Sequence, residues 1–168
     1  MDFVDRIVGH DIWFTNRLLD RAQELDPQKL DQPVFSDWSS APFGINKDTL
    51  RSLLNEMVAN KENWSASLAG RSAPTNGGTS IDELKRRYAV AAEQFSDLVK
   101  DISRRGRWDE GFVDALCDPP QSFTYGGMLA HVATFSAFRR TMAVLMFRRH
   151  GIDDLGIGDP IEWERQRK

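Results

Sequence analysis

Apolar residues recur at three- and four-residue steps in four long stretches of the chain, the spacing that lines one face of an α-helix. The first stretch runs from about Asp2 to Leu25 and carries Val4, Ile7, Val8, Ile12, Leu18, Leu19 and Ala22. Asp2 is placed to cap it. Asp26-Pro27 is expected to stop it, because proline restricts the residue before it and cannot extend the hydrogen-bond ladder. The second runs from about Thr49 to Leu68 through Leu50, Leu53, Leu54, Met57 and Trp64, with Asp48 or Thr49 as cap and Gly70 as terminator. The third opens on Ser80-Ile81-Asp82-Glu83, a capping box of serine followed three residues on by glutamate, and continues to about residue 103 before Gly106. The fourth spans about Thr124 to His150, with Gly151 as its natural end.

The connections are uneven. Residues 26–48 read as a loop punctuated by Pro33, Pro42 and Gly44, pinned across the core by Val34, Phe35, Trp38 and Phe43. Residues 70–79 read as a flexible loop, and 107–123 as an irregular crossover with a short extended piece. The tail, 151–168, is expected to fold back through Ile161 and Trp163. The pattern therefore predicts one all-α domain over residues 1–168, a four-helix bundle with long crossover connections.

Composition narrows the function. The 168 residues suit one core, and 40% hydrophobic with 28% charged residues is ordinary globular usage. A net charge of −3, with no basic stripe, argues against nucleic-acid binding. The single cysteine, Cys117, cannot form an internal disulfide. The N-terminus lacks a signal-peptide pattern, and no run approaches the roughly 18 apolar residues that span a membrane. A cytoplasmic location follows by default.

Motifs for nucleotide, serine-hydrolase, zinc-protease and dithiol chemistry are missing. The three histidines, His10, His131 and His150, lie too far apart in sequence for a ligand pair at i, i+4. Three segments nonetheless resemble one family. His10-Asp11-Ile12-Trp13-Phe14-Thr15-Asn16-Arg17-Leu18-Leu19 is similar to the opening helix of the DinB/YfiT-like superfamily. Thr49 to Val58 followed by Trp64 is similar to its second helix, and His131 to Arg140 continuing to Gly151 to its last. The Gly158-Asp159-Pro160-Ile161 tail is also similar to that of some members. The resemblance covers nearly the whole chain. It implies a four-helix bundle, often dimeric, in which better-understood members use nickel or zinc, commonly held by three histidines, to activate a thiol or water.

In the register of that resemblance the three ligand positions are Glu56, Phe135 and Arg139, and a neighbouring position that is often histidine is Phe138. Glutamate can ligate, phenylalanine cannot, and arginine stays protonated and repels a cation. The expectation is a degenerate metal site with no bound cofactor, in which Glu56 and Arg139 form an ion pair inside the bundle. Asn60, His131 and Phe138 are the candidates to line the space beside it.

Each of these residues also has a plainer reading. His131 is either a residual ligand or a histidine satisfied near the core edge. His10 is read as a helix-surface residue beside Trp13 and Arg17, and His150 as a helix-end residue favoured by the macrodipole. Cys117, next to Asp118, is read as structural rather than nucleophilic. Phe135, Phe138, Met142 and Met146 read as core or as the lining of an apolar pocket, while Arg86 and Arg87 read as solvated. The function expected is that of a metal-free small-molecule-binding or regulatory protein. The alternatives are a metal-dependent thiol S-transferase or hydrolase with an unusual ligand set, built on Glu56 and His131, and a structural homodimer without ligand.

Overall fold

The computed structural model describes residues 2–34, 48–72, 74–75 and 77–167. The described chain is mostly helical: α1 (Phe3–Gln23), α2 (Pro27–Leu30), α3 (Leu50–Leu68), α4 (Ile81–Arg104), α5 (Tyr125–Arg149) and α6 (Pro160–Gln166), with a two-stranded hairpin, β1 (Gly111–Asp114) and β2 (Gln121–Thr124), between α4 and α5. No helix among the described residues is long and apolar enough to cross a membrane.

The helix ends follow local chemistry. Asp2 and Asp5 form a reciprocal capping box at α1, and Thr49 and Ser52 do the same at α3. Ser80 accepts from the Glu83 N–H at 3.3 Å, half of the capping box expected there. Helices α3, α4 and α5 run out at Gly70, Gly106 and Gly151, each at positive φ. Asp26-Pro27 does more than end α1. Asp26 caps α2 and Pro27 opens it, the helical position where a missing N–H costs nothing. The buried Leu30 then ties this short helix to the core.

Each of α1 and α3 packs against both α4 and α5. The main core gathers Phe14, Leu18, Leu53, Leu84, Tyr88 and Phe147 among others, and a second cluster joins Val8, Phe95, Val99 and Val132 beneath Trp64 and Trp108. Val34 packs at the edge of the main core as expected, and its N–H donates to the Asp48 carbonyl at 2.8 Å. Phe35, Trp38 and Phe43, the other expected anchors, lie outside the described residues.

The 107–123 crossover is more ordered than its weak alternation suggested. β1 and β2 pair antiparallel from Gly111 opposite Thr124 to Asp114 opposite Gln121. Asp114 is buried because the Ser67 hydroxyl on α3 donates to it at 2.7 Å, fastening the hairpin to the helix.

The tail folds back, but through one residue rather than two. Trp163 is buried, and a β-carbon on Gly9 would lie 2.8 Å from its ring, so α6 sits directly on the α1 backbone. Ile161 is 56% exposed and does not anchor it. Asp159 caps α6, which sets the helix phase, and only one of the two apolar residues can then face α1. Arg17–Glu162 at 2.8 Å and an Arg6–Glu164 pair complete the attachment.

Candidate functional site

The three positions that the resemblance marks as ligands meet in space. Arg139 on α5 donates through Nε and Nη2 to Glu56 Oε1 on α3, at 3.2 and 3.1 Å. Its guanidinium also lies over the Phe135 ring, 5.7 Å from the centroid. The ion pair is present, but its side chains remain 14% and 24% exposed, so it sits at the edge of the helix packing rather than inside it. The donor set does not suit a divalent cation: the carboxylate oxygen is held by a guanidinium, and a phenyl ring supplies no lone pair. Among the described residues, no three His, Cys, Asp or Glu side chains gather where they could hold a metal. Replacing Arg139 with leucine is expected to cost about 1–2 kcal/mol, between an exposed and a fully buried pair, read by urea denaturation. No change at all would mean that solvent already screens the pair.

The neighbouring candidates separate. Asn60 lines a small cavity between α1, α3, α4 and α5, together with Thr15, Tyr88 and Ser136. Its volume of about 10 Å³ leaves room for a single water-sized group. His131 is exposed and stacks on Phe135 at 4.4 Å, with Trp64 at 5.5 Å. Partial desolvation by its ring neighbours, and then the charge of Arg139, lower its pKa. Phe138 packs against the core with Met142 and Met146 buried beyond it, while Phe135 is 38% exposed; the four residues are therefore not one surface.

Beside this pair stands a charged cluster that apolar periodicity alone did not reveal. Asp11 on α1, Lys61 on α3 and Arg140 on α5 are 5%, 4% and 5% exposed. Lys61 Nζ donates to Asp11 Oδ2 at 2.8 Å, and Arg140 donates to Asp11 Oδ1. Lys61 also lies over the Phe95 ring, 4.2 Å from its centroid, which gives the ammonium a second favourable contact. Burial pushes the Asp11 carboxyl up, but the two cations and their hydrogen bonds outweigh it, and the pKa falls below the ordinary value. Nearby, burial pushes the Tyr88 phenol well up, so it stays neutral. The Thr15 hydroxyl acts on Tyr88 from close by without closing a bond of good geometry, and the Tyr88 oxygen has no partner among the described residues.

A signal for this cluster existed in the sequence. Asp11 lies one helical step from Phe14 and Val8, Lys61 one step from Met57, and Arg140 one step from Ser136 and Ala143, all in the register of the buried stripe. A charged residue in that register on each of three helices is the pattern to look for.

Asp11 and Arg140 also form part of a larger cleft of about 550 Å³ between α1, α5 and the 157–164 segment. Its walls are mostly apolar, with Ile7, Phe14, Ala137 and Trp163 prominent. His10 is here rather than on the helix surface: its Nε2 lies 2.7 Å from the Gly158 carbonyl, and its ring packs against Phe14 and Trp163. Because a carbonyl only accepts, Nε2 carries the proton. Burial lowers the His10 pKa despite that bond, so the ring is neutral at pH 7. The returning tail leaves this histidine half-buried, and tail docking is not visible in helical periodicity.

Elsewhere, Arg87 is not solvated. It grips Glu62 through two hydrogen bonds of 2.9 and 2.7 Å and also reaches Asn55, while Arg86 is exposed as expected. Cys117 Sγ donates to Asp114 at 3.3 Å, and this bond, with burial, pushes the thiol pKa up, which keeps it protonated. His150 caps the C-terminal end of α5. The chain matches no family model, and comparison with curated proteins gives no significant match.

Proposed function

We propose that this chain is a DinB/YfiT-like four-helix bundle that has given up metal chemistry and binds a small molecule in the cleft between α1, α5 and the C-terminal segment. The observation that carries the reading is the meeting of Glu56, Phe135 and Arg139. The resemblance marks these positions from sequence, 83 residues apart between Glu56 and Arg139, and they come together across α3 and α5. The Arg139 guanidinium occupies the Glu56 carboxylate that would otherwise hold a cation. The cleft supports the binding role, because its volume of about 550 Å³ and its apolar walls with a few convergent polar groups suit a small organic ligand.

Two measurements test the reading. Protein purified without an affinity tag is expected to carry no stoichiometric nickel or zinc, whereas the triple variant Glu56→His, Phe135→His, Arg139→His is expected to gain it. A full complement of metal in the unmodified chain would overturn the metal-free assignment. A folded triple variant that binds no metal would overturn the family register. For the cleft, the neutral fluorophore phenylnaphthylamine is expected to bind and brighten, and Ala137→Trp, which fills the cleft from α5, to abolish that binding. Unchanged binding to the filled variant would place the ligand site elsewhere.

A further inference from the structure

The cleft floor is electrically unbalanced. Asp11 is the common acceptor for both Lys61 and Arg140, so two buried cations share one carboxylate. The adjoining Glu56–Arg139 pair is neutral in itself and cannot absorb the surplus. At the rim, Arg6 and Glu164 neutralise each other. Asp159, which accepts from the Ile161 N–H at the start of α6, keeps its negative charge but lies outside the cleft wall. Within the cluster itself the cations therefore outnumber the carboxylates two to one, and a further anion that reaches them is favoured.

Asp11 and Arg140 both form part of the cleft wall, whereas Lys61 lies behind them. The one hydrogen bond described for the Arg140 guanidinium goes to Asp11, and its other N–H groups have no partner among the described residues. A planar guanidinium in the wall of a mostly apolar cleft is suited to a planar anion of a single charge. Above it, Ile7, Phe14 and Trp163 offer a hydrocarbon surface that would bury a chain or ring. The neutral His10 ring adds no competing charge there.

We infer that the ligand of this cleft is an amphipathic monocarboxylate, an acyl or aryl acid whose carboxylate pairs with Arg140 at the floor and whose apolar body lies against Ile7, Phe14 and Trp163. This rests on the reading that the cleft is the ligand site, and it adds the ligand's chemical class.

The test compares three probes of one chain length, octanoate, 1-octanol and octylammonium, by isothermal titration calorimetry on the full chain. Octanoate is expected to bind about tenfold or more tighter than octanol, as a charge-assisted hydrogen bond in a desolvated site predicts, and octylammonium is expected to bind least. Arg140→Met leaves the neutral Asp11–Lys61 pair in place, and octanoate and octanol are then expected to agree within about twofold. Lys61→Met removes the same surplus from behind without altering the cleft wall. It is expected to reduce the preference too, and it serves if Arg140→Met does not fold. Equal binding of octanoate and octanol to the unmodified chain, or a preference that survives both substitutions, would overturn the inference and leave the cleft as a neutral apolar site. Failure of all three probes to bind would overturn the cleft reading itself.

Discussion

Replacing Asp11 with asparagine is expected to destabilise the protein by about 3–5 kcal/mol, measured by urea denaturation. The side chain keeps its shape and one acceptor but loses its charge. Lys61 and Arg140, each about 95% buried, are then left facing each other without a counter-charge. A typical domain has only about 5–15 kcal/mol of stability in total, so the variant sits near the limit of folding at ambient temperature. The matched control is the triple variant Asp11→Leu, Lys61→Met, Arg140→Met. Replacing a whole buried ionic cluster with apolar side chains removes the desolvation penalty together with the attraction, and the triple variant is expected to be at least as stable as the parent.

The same cluster has a pH signature. The folded Asp11 pKa lies below the ordinary aspartate value, because Lys61 and Arg140 together outweigh its burial. Its contribution is therefore complete above about pH 4, where the unfolded side chain is ionised, and is lost as pH falls through the lower folded value. The parent is expected to lose stability on acidification below about pH 4 more steeply than the triple variant. A single Asp11→Asn variant within about 1 kcal/mol of the parent, or identical acid limbs for parent and triple variant, would show that solvent reaches these charges.

Gly158→Ala is the second large effect, and it acts through backbone and packing rather than charge. Gly158 has φ of +68°, a conformation that disfavours any β-carbon, and a β-carbon there would overlap the edge of the buried Phe14 ring. Phe14 cannot retreat, because it belongs to the main core. The segment that carries Gly158 must lift instead, and with it go the His10 hydrogen bond and the seat of Trp163. The expected loss is about 2–4 kcal/mol, an overpacking penalty added to backbone strain. It should appear as a red shift of Trp163 fluorescence and as proteolysis within residues 153–159 at denaturant concentrations where the rest of the chain still holds.

Gly70→Ala gives the comparison. Gly70 has nearly the same φ, +63°, but open space around it, so only the strain remains and about 1 kcal/mol is expected. Equal losses at the two glycines would mean that the tail does not rest on Phe14. Because Gly158 also lines the cleft, Gly158→Ala is expected to weaken phenylnaphthylamine binding, whereas Gly70→Ala should not.

What could be read without coordinates was what local interactions decide. Asp2, Thr49 and Ser80 cap helices because a side-chain oxygen within three residues meets an orphan N–H, and Gly70, Gly106 and Gly151 end helices because of their own φ. The stripes Leu50-Leu53-Leu54-Met57 and Phe14-Leu18-Ala22 point inward because their spacing matches the helix turn. The pairing of Glu56 with Arg139 was within reach only because a resemblance supplied the register between α3 and α5.

The tertiary structure decided the rest. Whether a charge is solvated or buried depends on what packs over it. Arg87 looked like its neighbour Arg86 until Glu62 on another helix met it, and His10 looked like a surface residue until Trp163 and Gly158 came back from 148–153 residues away. Asp11, Lys61 and Arg140 lie in the buried register of their own helices, which is local information. That Lys61 and Arg140 converge on the one carboxylate of Asp11, beside an apolar cleft, follows only from the way α1, α3 and α5 are brought together. Electrostatic energy depends on distances between helices and on the water excluded from between them, and neither quantity is encoded within any one segment.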